Sequence, residues 1–358
     1  MQIVYISSID WSFSWHRQQE MMSEMAERGA QVLFVQPNKK NITVHPKLEK
    51  QTEKIWILTC RGIPYERCFN SINTLNAKLS KDDILNAMKT IGFDDPIIWI
   101  DRVHGFDFNY FKQYRIIYDL VDEILAFGRI RNSKMLIALE NRVLKNANLL
   151  ISSSRTLLSR KIKQSNRQGE NIFIPNGVDT DRFRNIQQKN QKNTIGFVGQ
   201  ISDRSINIEL IHKVAQKHPE WKFVFTGPGT KECKSKLRGN FTNIIVNEPV
   251  TGKEIPEVIA NYDVCIIPYL HNNPNMDYVF PRKACEYLAS GKPVVSTNMN
   301  EIRFLQPMVM VSDDPSEFEE FIIQGFSDQD CERKREFAKQ FDWNILMPKL
   351  LDKIQNVL

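Results

Sequence analysis

FPRKACEYLASGKPVVSTNMNEI, residues 280–302, reads as a short helix that feeds a buried strand. Pro281 suits the first helical position, where its missing N–H would have no partner, and Gly291 suits the left-handed residue that ends a helix, so the helix is expected over Pro281 to Ser290. Val294 and Val295, followed by Ser296 and Thr297, form the apolar, β-branched run of a strand inside a parallel sheet. Lys283 and Glu286 are three apart and share a helix face. A helix N-terminus attracts anions, a lysine in its first turn adds charge, and a glutamate one turn on can accept bonds from a pair of sugar hydroxyls. The set suits a nucleotide, phosphate first and ribose next. Taken alone, it reads first as a capped helix with a surface Lys–Glu pair, and the surrounding sequence has to decide.

Upstream, Thr194 to Val198 (TIGFV) reads as a strand closed by Gly199, followed by a loop over Gln200 to Ser205 and a helix over Ile206 to Lys217. That order brings backbone N–H groups up to phosphate, although Gly196 and Gly199 alone make neither GxGxxG nor a Walker loop. Arg204, at the helix mouth, offers a bidentate phosphate contact. Further strands are expected at Trp221–Thr226, Asn243–Val246, Val264–Pro268 and Met308–Val311. Alternation of this kind predicts a parallel sheet with crossover helices.

The first half has the same rhythm. Gln2–Ser7 and Gln31–Gln36 read as strands flanking a helix over His16–Arg28, and the crossover should be right-handed. The loop with Asp10, Trp11, Ser14, His16 and Arg17 lies at a strand's carboxyl end, where such sheets bind ligands, and is a candidate wall for one. His16 beside Arg17 reads as a surface pair at a helix start before it reads as a catalyst. Strands follow at Ile55–Leu58, Pro96–Ile100, Tyr114–Leu120 and Asn148–Ser152, with helices at Asp82–Ile91, Ser133–Asn146 and from Ser153 to Lys163. The strand YRIIYDL ends in Asp119, Asp122 and Glu123, carboxylates placed for substrate hydroxyls or acid/base work. IFIPNGVDTDRF then leads through an Asn-Gly turn into a polar stretch over 184–193, the best linker in the chain, which sets the domain boundary at 183/184. DTD at 179–181 has the spacing of a metal-binding DxD but reads as linker chemistry, and no metal is expected.

At 358 residues the chain suits two domains, and 42% hydrophobic with 25% charged residues is the balance of a soluble globular protein. No apolar run approaches a membrane span, and a strand starting at Gln2 leaves no place for a signal peptide. Six scattered cysteines without a CxxC pair read as reduced residues of a cytoplasmic protein. The net charge of +6 is spread through helices, so no nucleic-acid partner is expected, while attraction to anionic lipid or a phosphorylated substrate fits.

Four markers stand in one order: IPNGVDTDRF (174–183), IGFVGQISDR (195–204), DVCIIPY (263–269) and PRKACEYLASGKPVVST (281–297). This order resembles the carboxyl-terminal half of retaining nucleotide-sugar glycosyltransferases of family 4, which have the GT-B fold. FSWHRQQEMMSEMAERGAQVLFVQP and YDLVDE are similar to the amino-terminal pattern of the bacterial cell-surface polysaccharide branch, as in teichuronic acid glycosyltransferases, so the likeness covers nearly the whole chain. It implies an α/β protein with two Rossmann-like domains facing a cleft: residues 1–183 on the acceptor side, 184–340 holding the nucleotide-sugar, and 341–358 a helix packing back on the first domain. It implies a UDP- or GDP-sugar as donor substrate with no cofactor, and a saccharide or lipid-linked acceptor. The setting it implies is cytoplasmic, with peripheral contact at the inner face of the plasma membrane.

By the same resemblance Glu286 takes the ribose hydroxyls, Pro281 and Lys283 lie on the phosphate side, Gly199 admits the diphosphate, Arg204 adds a cation there, and Val250 lies near the base. Asp119, Asp122 and His16 are the candidate catalytic residues, with Asp10 and Arg17 on the acceptor side. Two places depart from the family pattern. Tyr278 stands where many members have a second glutamate, and no histidine follows YDLVDE. A non-catalytic partner subunit and a nucleotide-sugar epimerase remain alternatives, whereas a nicotinamide dehydrogenase lacks its glycine fingerprint.

Overall fold

The central strands are written almost wholly in β-branched and large apolar residues and are buried along most of their length, as in a parallel sheet covered on both faces. The structure, a computed structural model, describes residues 1–13, 16–37, 41–125, 132–185, 192–270 and 276–358. Ser14, Trp15 and most of the expected linker lie outside the described residues. The chain divides into two units, one formed by Met1–Ile174 with Met347–Leu358, the other by Pro175–Leu346.

The first unit runs β1 (Gln2–Ile6), α1 (Arg17–Glu27), β2 (Gln31–Gln36), β3 (Lys47–Lys50), β4 (Ile55–Thr59), α2 (Asn70–Ile91), β5 (Ile97–Ile100), α3 (Phe108–Phe111), β6 (Ile116–Leu120), α4 (Ser133–Asn146), β7 (Leu149–Ser152), α5 (Arg155–Ser165) and β8 (Glu170–Phe173). Its sheet has the order β3-β4-β2-β1-β5-β6-β7-β8, parallel except for β3 against β4. Tyr5 stacks on Phe34 at 5.4 Å in its core. The strand order reverses at β1, which puts the sheet's switch point between the carboxyl ends of β1 and β5.

α2 begins twelve residues before the apolar spacing at Asp82 announces it. Its first turns bury Asn73, Asn76 and Ser80 in place of apolar groups. Asn76 accepts from the Ile63 amide and donates to the Ile63 carbonyl, and Asn73 accepts from Gly105 N. The amides of Asn73 and Asn76 are paired with loop backbone, which lets most of this polar face be covered.

In the second unit come α6 (Thr180–Arg184), β9 (Thr194–Val198), α7 (Ile208–Lys217), β10 (Lys222–Thr226), α8 (Lys231–Arg238), β11 (Ile244–Asn247), α9 (Ile255–Ala260), β12 (Val264–Ile267), α10 (Arg282–Ala289), β13 (Val294–Ser296), β14 (Val309–Val311), α11 (Pro315–Ser327) and α12 (Cys331–Ala338). The sheet is β11-β10-β9-β12-β13-β14, parallel throughout, with its switch point between β9 and β12. A last helix, α13 (Trp343–Val357), passes from the second unit into the first after Leu346.

The units part at Ile174/Pro175, where the sequence placed the boundary at 183/184. The reason is local: Val178 bridges to Asp342, Phe183 is buried, and both partners belong to the second unit. The first aspartate of DTD has a structural task there, since Asp179 Oδ1 caps α6 by accepting from Arg182 N at 3.1 Å.

Candidate nucleotide and acceptor sites

In the second unit β9 ends at Val198 and the chain turns at Gly199 with φ +152°, a conformation that favours glycine. Gly227, after β10, turns the same way at φ +154°, and a Cβ on it would run into the Gly199 carbonyl. The two turns therefore pack backbone against backbone. A Cβ on Gly199 would lie 3.0 Å from Lys283 Cε. Gly199 N is already given to the Thr226 carbonyl at 3.0 Å, so what this residue offers a ligand is room, not a donor.

α10 is fastened beside that turn. Tyr287, fully buried, accepts from the Val198 amide with its hydroxyl at 2.9 Å. The helix covers Arg282–Ala289, with Pro281 just outside in an extended conformation (φ −78°, ψ 94°), one place earlier than the sequence expectation. Pro281 is displaced because its carbonyl, not its ring, begins the helix, accepting from Ala284 N at 2.9 Å. Gly291, at φ +81°, ends the helix as expected. Among the described residues no side chain caps the first turn.

The surface Lys283–Glu286 pair does not form. Glu286, 8% exposed, accepts from Arg282 Nε at 2.8 Å through Oε1, and Oε2 has no partner among the described residues. Lys283 turns the other way, onto the Tyr269 hydroxyl, with its ammonium 5.4 Å from the Phe197 ring centre and 4.9 Å from that of Tyr269. One face of α10 thus offers a cation against Gly199 and the other a half-engaged carboxylate.

The loop that carries Arg204 is sewn to the segment after β12: Asn207 N donates to the Pro268 carbonyl at 2.7 Å, Leu270 N to that of Ser205 at 2.8 Å, and Ile206 bridges Tyr269. Arg204 is exposed on it. Gly199, Arg204, Pro281, Lys283 and Glu286 therefore surround one switch point. Val250 stands apart, half-buried in the loop after the edge strand β11. Asp277 is exposed beside Tyr278 in the turn that precedes α10. Sequence reasoning missed Tyr269 and Tyr287, since an aromatic in an apolar run gives no sign of where its hydroxyl goes.

The first unit answers differently. His16 is exposed and stacks on Phe13 at 5.4 Å, but Arg17 is no surface partner to it. Arg17 is 5% exposed and reaches Asp119 with both Nε and Nη2 at 3.3 Å. Asp119, its side chain 0% exposed, is consequently a sealed anchor for α1 and offers no open carboxylate. Arg17 likewise faces inward. Asp10 lies half-buried, with Oδ1 unpartnered among the described residues.

Asp122 does line a cavity, of about 230 Å³, at the β1/β5 switch point, together with Ser8, Arg67, Asp101 and His104. Asp122 is exposed at its edge, yet neighbouring atoms desolvate its carboxyl and push it up to about 6. Burial also raises Asp101 to about 6, against the pull of the bonds it accepts from Gln18 and Ser8. Those bonds come from Ser8 N at 2.5 Å, Ser8 Oγ at 2.9 Å and Gln18 Nε2 at 2.9 Å. Glu123 is held by Lys161 at 2.8 Å, and Lys161 also meets Glu140 at 2.6 Å, all three buried. The sequence held a sign of this centre in DRVH, directly after the strand PIIWI, a carboxyl end of the same kind as the one after YDL. Among the described residues no group of three or more histidine, cysteine or acidic side chains is placed to hold a metal ion.

Residues 192–328 match the family described as glycosyl transferases group 1, so the second unit carries that domain. Sucrose-phosphate synthase from Thermosynechococcus elongatus shares the fold across 100% of both chains, with a TM-score of 0.75 at 14% identity. Anabaena HepE, in complex with UDP and glucose, does so with a TM-score of 0.68 at 16% identity, again over 100% of both. The fold is that of the GT-B glycosyltransferases. In sequence, the chain is 29% identical over 239 residues to TuaH of Bacillus subtilis (strain 168), described as a teichuronic acid biosynthesis glycosyltransferase. That match spans 61% of this chain and 59% of the relative's length.

Proposed function

We propose that this protein transfers a sugar from a nucleotide-diphosphate donor to an acceptor hydroxyl in the synthesis of a cell-surface polysaccharide or glycolipid, with retention of configuration. The observation that carries this reading is the convergence on the β9/β12 switch point: paired glycine turns in which a Cβ on Gly227 would strike the Gly199 carbonyl, a helix start that no described side chain caps, and Lys283 directed at the Gly199 turn. A diphosphate leaving group accumulates negative charge as the glycosidic bond breaks, and fixed donors stabilise it there. Glu286 Oε2 is the acceptor left for a ribose hydroxyl. The complex of HepE with UDP and glucose supports a nucleotide-sugar donor, and the likeness to TuaH supports a cell-surface product. The donor is a UDP- or GDP-sugar and acts as substrate, so no cofactor is required. The acceptor is a saccharide or lipid-linked saccharide reached from the cytoplasmic face of the membrane. Among the described residues no helix is long and apolar enough to cross a membrane, and contact with the bilayer would then be peripheral.

Lys283→Ala should lower turnover of the donor by about a hundredfold or more, the scale of losing one fixed donor to developing charge, and Glu286→Ala should lower it through the lost ribose contact. Melting temperatures should move little. Transfer or hydrolysis of UDP- and GDP-sugars, assayed beside thermal melts, checks both. Full turnover in either variant removes that residue from the donor site.

A further inference from the structure

Two neighbouring cations on α10 are held in different ways. Arg282 spends Nε on the Glu286 carboxylate, so its charge is answered inside the fold. Lys283 forms no ion pair with a described residue, and its ammonium donates to the Tyr269 hydroxyl. An ammonium has no lone pair, so the hydroxyl is the acceptor in this bond. The ammonium also lies against two rings, 4.9 Å from the centre of Tyr269 and 5.4 Å from that of Phe197. Those rings meet edge to face, at 6.2 Å and 76°. The contacts that fix Lys283 are thus neutral, and none supplies a counter-charge.

An anchor works only if it is itself fixed. Tyr269 is 9% exposed, and the chain around it is gripped from two directions. Thr297 Oγ1, just after β13, donates to the Tyr269 carbonyl at 2.7 Å. From the other direction Ile206 bridges Tyr269, and Leu270 N donates to the Ser205 carbonyl at 2.8 Å. Phe197, the second ring, lies within β9 and is fully buried. The ammonium is therefore referred to the sheet and not only to its own helix. A Cβ on Gly199 would lie 3.4 Å from Lys283 Nζ, so the group already stands at the glycine turn.

Either residue could be serving the other. If the lysine serves the tyrosine, the bond satisfies a nearly buried hydroxyl, a need that phenylalanine would not create. If the tyrosine serves the lysine, the bond removes the rotamer freedom of a long, flexible side chain. The second reading also accounts for the paired rings, which attract a cation at their faces. A carboxylate would hold the lysine more tightly, but it would compete with a phosphate for the charge. A neutral anchor leaves that charge, and the N–H groups not given to Tyr269, open to an anion. We propose that Tyr269 is the positioning residue of Lys283, holding its ammonium at the Gly199 turn so that the donor's diphosphate meets a cation already in place. This rests on the reading of Lys283 as a contact to that diphosphate, and it assigns the residue through which the contact is set.

The experiment measures dissociation constants of UDP, GDP, uridine and guanosine by ligand-observed NMR. It uses the full chain and its Tyr269→Phe, Lys283→Met and doubly substituted variants. Tyr269→Phe removes one oxygen and keeps the ring. It should weaken the diphosphate that the parent binds by about tenfold, the scale of one hydrogen bond to a charged group, and leave the matching nucleoside unchanged. In the Lys283→Met background the same change should weaken the diphosphate by less than about twofold, because a residue that acts through another has no effect once the other is gone. Equal losses for nucleoside and diphosphate would mark the tyrosine as merely structural. A loss undiminished in the Lys283→Met background would mean that the hydroxyl acts on the ligand directly. Unchanged or tighter binding in Tyr269→Phe would mean that the lysine needs no anchor, or is kept from the ligand by it. Each of these results overturns the proposal, as does diphosphate binding that survives Lys283→Met in full. If the parent binds neither diphosphate, the donor reading falls and the proposal with it. Failure of the tyrosine variants alone leaves that reading standing.

Discussion

Between β1 and β5 the chain meets its switch point with charge, whereas between β9 and β12 it meets it with bare backbone. The first is ringed by Arg17–Asp119, Arg102–Glu66 and Lys161 between Glu123 and Glu140, side chains whose positions depend on one another. The second turns on Gly199 and Gly227, whose packing depends on the absence of side chains. A charged rim can be varied to suit a particular ligand, because each carboxylate or guanidinium reads a different substituent. A glycine rim reads only a feature that many ligands share, such as a diphosphate. Under the proposed function, the contrast would suit one unit that recognises what is particular in an acceptor and another that recognises what is common to nucleotide donors.

The most severe way to disturb the charged rim is Lys161→Met. It leaves Glu123 and Glu140 buried without their cation, and breaking such a pair costs about 3–5 kcal/mol. The loss should grow as pH rises, since two neighbouring carboxylates must then ionise together. Burial already raises Glu140 against the opposing pull of Lys161. Denaturant melts between about pH 5 and 8 read the effect, and a loss under 1 kcal/mol at every pH would mean that the charges are not what holds this rim.

The matching disturbance of the bare rim is Gly227→Ala. Its methyl meets the Gly199 carbonyl in a positive-φ conformation, which should cost about 3 kcal/mol, the upper range for an inserted methyl group. Affinity for UDP should fall with it, because the Gly199 turn must shift. Unaltered UDP binding by calorimetry would break the link between turn geometry and donor.

A milder test separates the units by pH. The Asp122 carboxyl lies at about 6 in the fold, above its ordinary value of 3.8. As pH rises the unfolded chain therefore loses this proton first, and stability falls between about pH 4 and 6 before levelling. Asp122→Asn removes that fall, so the variant should match the parent near pH 4 and exceed it above 6, as urea melts at stepped pH would show. Equal pH profiles would mean that the carboxyl is well solvated.

Strands were the most legible part of the sequence. TIGFV and VCIIP are apolar enough that both sheets and their parallel pairing could be anticipated, and Gly291 marked a helix end that the fold keeps. The first turns of α2 were not legible, because their buried face is made of Asn73, Asn76 and Ser80, which carry no hydrophobic period. The edge strand β3 escaped for a similar reason, with KLEK mostly exposed. At the sites, glycine, lysine and glutamate could be placed from local order along the chain. Arg17 and Asp119 could not, because they are 102 residues apart and nothing local says that either is buried. Residue type announces which chemistry is available, whereas long-range pairing decides which of it is spent on the fold.

The bond between the Tyr287 hydroxyl and the Val198 amide bears on how this sequence can drift. A backbone amide is supplied by every residue except proline, so position 198 is free to change its side chain and keep the link. Position 287 has no such freedom, since only a hydroxyl at the end of a ring reaches that far. Phenylalanine there would preserve shape and orphan the amide. Two residues joined by one bond thus evolve under unequal restraint, and the stricter record of this junction lies in the helix, not in the strand it touches.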